Sequence, residues 1–479
     1  MNILFVTSEA VPFSKTGGLA DVAGSLPQAL AANGDEVSVV LPLYAPTAQK
    51  FGGELEFLRY YYVRLAWRNL YCGVFTLKRD GVTFYFIDNE YYFKRENFYG
   101  YFDDGERFAF FSRAVVDLLD KLPQKPQVVH CNDWQSGLVP VYIRDESARS
   151  EFYRNIRTVI TVHNIEYQGR CGWDAPGELL GLDPGWMHSG TLEYGGDVNI
   201  LKGAMLVADA VTAVSPTYAQ QLRSAEYAHG LENVVEICAD KLHGVLNGID
   251  MVRYNPSKDA TIAKKYSVRK SEGKAECKAH LQEKMGLNVD AERPIIAMVS
   301  RLVTHKGLDL VCAMLDELMA STDAQFAILG KGDAQYEEFF AGAQARWPGR
   351  VAFYMGYSEE LSLEIYSGAD LFLMPSKSEP CGLSQLIAMR YGTVPIVRET
   401  GGLRDTVHAY EAQSGKGNGF SFAAYNAHDM AYVVREAVAL YHDDPEAFKK
   451  IRNRGMMQDF SWKASAVKYH EIYEKICNS

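Results

Sequence analysis

Two short segments of this sequence combine charge with glycine in a way that suits an anionic ligand. The first, Lys15-Thr-Gly-Gly-Leu-Ala-Asp-Val22, follows the apolar run Ile3-Leu-Phe-Val6 and leads into a helical pattern through Leu26 and Leu30. The paired Gly17 and Gly18 between strand and helix let the backbone approach a ligand closely and aim N–H groups at anionic oxygens. Lys15 adds a point charge at the mouth of that turn, and Asp21 opens the helix. A tight turn with a solvated lysine would use the same residues. The second segment, Pro375-Ser-Lys-Ser-Glu-Pro-Cys-Gly-Leu-Ser-Gln385, follows the apolar Leu371-Phe-Leu-Met374 and precedes a helix pattern with Leu386 and Met389. It sets Glu379 at a strand-to-helix turn, where the N–H groups of Gly382, Leu383 and Ser384 would form an anion site. Simple capping would also place an acid there.

Two further segments sit in matching positions. Ser300-Arg-Leu-Val-Thr-His-Lys-Gly307 follows the Ile295–Val299 run, and Arg301 and Lys306 could reach one diphosphate, the arginine as a fork and the lysine as a point charge. A surface basic pair is the plainer alternative. Thr400-Gly-Gly-Leu403 follows Val394–Val397 as another glycine turn at the end of a strand.

These turns need strands behind them, and both halves supply them by alternating short apolar runs with helical patterns, the signature of stacked βαβ units. Strands are expected at Ile3–Thr7, Glu36–Leu41, Gln127–His130 and Val159–Val162, then at Ile295–Ser300, Gln325–Leu329, Val351–Met355, Leu371–Pro375 and Val394–Val397. Helices are expected to start near Lys306, Asp333, Glu359 and Gly382. Alternating aromatics between Leu55 and Asp88 predict hairpins inserted into the parallel sheet. The charged stretch Pro256–Glu292 reads as an exposed lead-in to the second domain. Two terminal helices, Asp429–Tyr441 and Trp462–Ile476, are expected around a turn at Asp444-Pro445. Ligands of such sheets bind beyond the carboxyl ends of the strands.

Bulk properties narrow the class. A chain of 479 residues is too long for one core, and 47% hydrophobic with 23% charged residues is ordinary for a globular protein. The net charge of −11 argues against coating nucleic acid, which requires a basic face. No run approaches the ~20 apolar residues of a membrane span, and the first residues carry no basic leader. The eight cysteines, at 72, 131, 171, 238, 277, 312, 381 and 477, show no Cys-x-x-Cys spacing, so reduced thiols in the cytoplasm are expected. No His-Glu-x-x-His or Asp-x-Asp announces a metal.

Together these segments resemble the donor half of retaining glycosyltransferases built from two facing Rossmann-like domains. Lys15–Val22, His163-Asn-Ile-Glu-Tyr-Gln168, Thr212-Ala-Val-Ser-Pro216 and Leu246-Asn-Gly-Ile-Asp250 narrow the resemblance to the ADP-glucose-dependent bacterial glycogen synthases and plant starch synthases. It runs from residue 2 to Asp459-Phe-Ser-Trp462. It implies an α/β, GT-B-type fold with an interdomain active-site cleft: residues 1–246 as the acceptor-side domain, 247–456 as the donor-side domain, and 457–479 as a helix returning to the first. Lys15, Gly17 and Gly18 would lie against the donor diphosphate, with Arg301 and Lys306 neutralising it in place of a metal. Glu379 would hold the transferring glucose and stabilise charge at the anomeric carbon. His163, followed by Asn164, would contact the same sugar, although a histidine ending a buried strand can also be plain core. Asn247, Cys381 and Gly382 would complete the pocket, Tyr357 would stack on adenine, and Asp133 in His130-Cys-Asn-Asp-Trp134 would border the acceptor. Cys381 reads as a snug small residue rather than a nucleophile. Where the wider class often has a second glutamate eight residues on, this sequence has Ile387, as its subgroup does, so the ribose contact is unassigned. The aromatic stretch Glu90–Phe102 offers either glucan faces or packing.

The implied activity is transfer of glucose from ADP-glucose to the non-reducing end of an α-1,4-glucan such as glycogen, with retention and no cofactor. The alternatives are a UDP-donor transferase with a small acceptor, and a non-catalytic glucan-binding protein on the same fold.

Overall fold

Apolar runs at Asn2–Val6 (β1), Glu36–Pro42 (β2), Val82–Asp88 (β5), Val128–Asn132 (β6) and Arg157–Val162 (β7) form the heart of the first sheet. Glu56–Leu65 (β3), Arg68–Arg79 (β4), Ala210–Ala213 (β11) and Leu242–Gly244 (β12) complete it in the order β12-β11-β7-β6-β1-β2-β5-β4-β3. The strands from β12 to β5 are parallel, while β4 and β3 run antiparallel at one edge. The aromatic region before Asp88 therefore extends the sheet rather than interrupting it. Its alternation has a cause: Val63 and Leu65 are buried, whereas Tyr60 and Tyr62 face outward. A small antiparallel sheet, Arg170–Cys171 (β8), Glu193–Tyr194 (β9) and Asp197–Asn199 (β10), lies in the same half.

The second sheet contains Ile295–Val299 (β13), Gln325–Gly330 (β14), Val351–Met355 (β15), Leu371–Met374 (β16), Val394–Arg398 (β17) and Phe420–Phe422 (β18). All six are parallel, in the order β15-β14-β13-β16-β17-β18. This is the doubly wound order whose direction reverses between its first and fourth strands, here β13 and β16. In the first sheet the reversal falls between β1 and β6. The chemically suggestive turns follow these four strands.

The computed structural model describes residues 1–479. Its chain forms two units, Met1–Asn247 with Trp462–Ser479, and Gly248–Ser461. The expected boundaries at 246/247 and 456/457 thus shift. Phe460 is 6% exposed in a core with Ile249, whose N–H donates to the Phe460 carbonyl at 2.8 Å, and Gln458 accepts from Asn418. Those contacts keep 457–461 in the second unit. The final helix, Trp462–Asn478, packs Trp462, Tyr469 and Tyr473 among Ile3, Phe5 and Leu26 of the first.

Two other expectations need correction. A further helix, Pro445–Met457, stands where only a turn was expected, because Asp444 accepts the Ala447 N–H as a cap and Pro445 opens the helix. The supposedly exposed 256–292 stretch contains the helix Glu272–Met285, with Lys274 and Lys278 both buried. The Lys274 ammonium donates to the carbonyls of Ser367 and Tyr391 and to Thr393 Oγ1, so a lysine does the work of a core residue.

Candidate active site

In the second unit the turns after β13 and β16 interlock. Gly307 has φ +71°, and a Cβ there would stand 2.0 Å from the Pro375 carbonyl oxygen, so only glycine lets these turns meet. The Lys377 N–H donates to the His305 carbonyl at 2.9 Å, and buried Arg398 donates to the Lys377 carbonyl at 2.8 Å. This frame brings Lys306 onto Glu379: its Nζ lies 2.9 Å from Oε1 and 2.7 Å from Oε2. Ser376 Oγ donates to the same Oε2 at 2.9 Å. Glu379 is only 7% exposed. Burial alone would raise its pKa, but the Lys306 charge and the hydrogen bonds from Lys306 and Ser376 outweigh it and hold the carboxyl below the ordinary range. Here is a desolvated carboxylate kept ionised.

The neighbouring turns support this acid. Gly401 has φ +44°, and a Cβ there would fall 1.9 Å from the Glu379 carbonyl oxygen. The Gly402 N–H donates to the Pro380 carbonyl at 3.1 Å. Thr400–Leu403 is thus a buttress beneath Glu379. The helix expected from Gly382 begins at Ser384 and has no side-chain cap, leaving Gly382 in a left-handed turn at φ +72°. Cys381 is buried, and its carbonyl accepts from Gln385. Arg301 is exposed, and Tyr357, just past β15, is 73% exposed.

In the first unit Lys15 is paired with Asp21 at 2.8 Å, both partly exposed. Asp21 therefore serves as the lysine's counter-ion on the first turn of Gly18–Ala32, rather than as an independent ligand group. Asp133 follows β6 with φ +54°, and its Oδ1 accepts the N–H of His163 at 2.7 Å and of Asn164 at 3.4 Å. Burial pushes its carboxyl up to about 7. His163 Nε2 lies 2.9 Å from Asn132 Oδ1, while Asn132 Nδ2 donates to the Val6 carbonyl. That orientation assigns the ring proton to Nε2 and leaves Nδ1 as an acceptor. Burial lowers the His163 pKa to about 3, so the ring is neutral at physiological pH. Asn164 accepts the Glu166 N–H and shapes the following turn. Asn247 belongs to this first unit, and its buried Oδ1 has no partner.

Beside Asp133 and Asn164 opens a cleft of about 540 Å³, lined by Tyr101, Phe102, Trp134, Tyr167, Arg170 and His229 among others. The aromatic stretch 90–102 is divided accordingly: Tyr92 and Phe93 are core, whereas Tyr101 and Phe102 face the cleft. No group of three or more His, Cys, Asp or Glu side chains is placed to hold a metal ion. Glu9, Thr16, Asn132 and Ser376 are site residues that the sequence did not single out. Only their places at or just past the ends of β1, β6 and β16, or inside the Lys15 turn, could have signalled them.

Comparison with known proteins meets this geometry. Residues 2–237 match the model of the starch synthase catalytic domain, and 282–455 match that of glycosyl transferases group 1. The chain is 46% identical over 476 residues to a glycogen synthase of Geobacillus thermodenitrificans, covering 99% of this chain and 98% of that one. This chain belongs to the glycogen and starch synthase family. A Bacillus cereus glycogen synthase is 45% identical over 476 residues, 99% of this chain and 100% of that one. Among solved structures, the catalytic domain of starch synthase IV from Arabidopsis thaliana, bound to ADP and acarbose, superposes with a TM-score of 0.91. The two are 32% identical, over 100% of this chain and 99% of that one. A sucrose-phosphate synthase from Thermosynechococcus elongatus, at TM-score 0.62 and 18% identity over 99% and 98% of the two chains, shares the fold. The chain is thus a glycosyltransferase of the GT-B class. No helix in it is long and apolar enough to cross a membrane.

Proposed function

We propose that this protein is a glycogen synthase. It transfers glucose from ADP-glucose to the non-reducing end of an α-1,4-glucan with retention of anomeric configuration. The observation that carries this reading is Glu379, a buried carboxylate kept ionised by Lys306 and Ser376 at the switch point of the second sheet. Such a charge stabilises positive charge developing at an anomeric carbon more strongly than a solvated one would.

The remaining groups take roles that the family resemblance suggests. Lys306 has three N–H donors and gives two to Glu379, so one remains for the donor diphosphate. Arg301, Lys15 and the N–H groups of Gly17, Gly18 and Gly382–Ser384 supply further neutralisation, so the cations do the work that a metal does elsewhere. Tyr357 offers an exposed ring to adenine. Neutral His163 accepts a glucose hydroxyl at Nδ1, and the unpartnered Asn247 oxygen takes another. The cleft with Trp134 and Tyr167 beside Asp133 receives the glucan end on apolar ring faces. Retention rests on membership of the family. Cys381 is buried and has no histidine beside it in sequence, so no covalent glucosyl-enzyme is invoked. We place the protein in the cytoplasm, where its eight thiols stay reduced.

Incubation with ADP-glucose and glycogen, against a UDP-glucose control, tests the reading. Extension of the glucan with matching ADP release is expected. Equal or faster transfer from UDP-glucose would overturn the donor assignment, and binding of glycogen without transfer would overturn the enzyme.

A further inference from the structure

The end of β1 carries an acid to which the mechanism above gives no role. Glu9 is 3% exposed, and its Oε2 accepts both the Thr16 N–H at 2.6 Å and Thr16 Oγ1 at 2.9 Å. Its Oε1 faces Gly17, where an added Cβ would stand 3.9 Å away. No lysine or arginine pairs with it, since Lys15 is taken by Asp21. The groups facing it are acids, Asp21 and Asp133, together with Tyr44 and Tyr99, which are themselves anchored on the carbonyl and hydroxyl of Ser8. A buried acid without a cation is costly. A neutral acceptor would serve packing equally well.

The turn it grips is the one whose shape matters. Gly17 and Gly18 have the most backbone freedom to lose on ordering, and any freedom left in the free protein is charged against ligand affinity. We propose that Glu9 is a positioning residue for donor recognition: by holding Thr16 through both its N–H and its hydroxyl, it fixes the Lys15–Gly18 turn in the form that meets the donor diphosphate. This rests on the reading that the turn contacts the donor. Burial raises the Glu9 carboxyl to about 7, so the grip tightens through neutrality as the acid ionises.

Four variants test it through KM and kcat for ADP-glucose and through ADP affinity by calorimetry. Thr16→Val and Glu9→Gln should each raise the donor KM about tenfold with kcat within about twofold, the loss of one hydrogen bond to a charged group. Thr16→Ser, which keeps the hydroxyl, should restore the wild-type KM. The Glu9→Gln/Thr16→Val pair should be no worse than the poorer single variant, because both remove one contact. The role is overturned if Glu9→Gln lowers kcat at unchanged donor KM, or if the two losses multiply. Lys15→Ala separates the premises. An unchanged donor KM there removes the donor-turn reading and this proposal with it. A raised KM in Lys15→Ala beside normal Glu9→Gln and Thr16→Val enzymes overturns the role of Glu9 alone.

Discussion

Glu9 and Glu379 each lie past a strand that flanks the reversal of its sheet, Glu9 past the first strand of one unit and Glu379 past the strand across the reversal in the other. They are 3% and 7% exposed, yet they titrate in opposite directions. Glu9 is pushed up to about 7 because burial dominates and its close partner, Thr16, is neutral. Glu379 is lowered because Lys306 and Ser376 overcome the same burial. Asp133 follows Glu9, rising to about 7. The neighbour, not the depth, decides the charge. The first unit thus gathers groups close to neutral, suited to hydroxyls and loop positioning, and the second builds one protected anion beside cations.

The sharpest way to break this contrast is to remove the cation. Lys306→Ala leaves Glu379 buried and unpaired, and should cost about 3–5 kcal/mol of stability at pH 7. The sign with pH should reverse as well. In the wild type the folded pKa of Glu379 lies below its unfolded value, so its contribution is present above the ordinary glutamate value of 4.5 and lost as pH falls through the folded pKa. In the variant, acidification should stabilise instead. Chemical denaturation at pH 4.5 and 7.5 measures both, and an unchanged stability at pH 7 would show that the pair is idle.

Glu9 provides the complementary test. Its folded pKa of about 7 exceeds the unfolded 4.5, so its stabilising protonation is present below 4.5 and lost as pH rises through 7. Between those limits the shift amounts to at most about 3 kcal/mol. Glu9→Gln should abolish that decline, making the variant as stable as wild type at pH 4.5 and more stable at pH 8. A variant less stable at pH 8 would show that Glu9 is ionised without penalty.

Smaller effects are expected at the rim. Tyr357→Ala should raise the donor KM by about fivefold, near 1 kcal/mol, with kcat nearly unchanged, because an exposed ring contributes stacking only. Chelator should leave turnover within about twofold, since cations rather than a metal neutralise the diphosphate. A chelator-sensitive enzyme restored by magnesium would overturn that assignment.

Legibility in the sequence follows the same physics. Strands buried on both faces, such as Ile295–Val299 and Gln325–Gly330, read directly as β-branched or apolar runs. Ala210–Ala213, Leu242–Gly244 and Phe420–Phe422 are too short to show a pattern, and they exist because longer neighbours present an open edge. The Glu272–Met285 helix was hidden because lysines occupy its inward positions. Asp444-Pro445 signals a turn and a helix start alike, and only tertiary packing selects the helix. At the site, Lys15, Lys306 and Glu379 stood out through glycine-rich surroundings. Asn132 and Glu9 have no such surroundings, and Ser376 shares those of Glu379 without a charge of its own, so their importance appears only when the chain brings a partner to them.

The central claim is that the protected charge on Glu379 acts on the transition state rather than on donor binding. Measuring kcat and ADP affinity together in Glu379→Gln tests it most directly. The account predicts a fall in kcat of about a thousandfold or more, at least ~4 kcal/mol of barrier, with the ADP Kd within about threefold of wild type. A kcat within about threefold of wild type would contradict it.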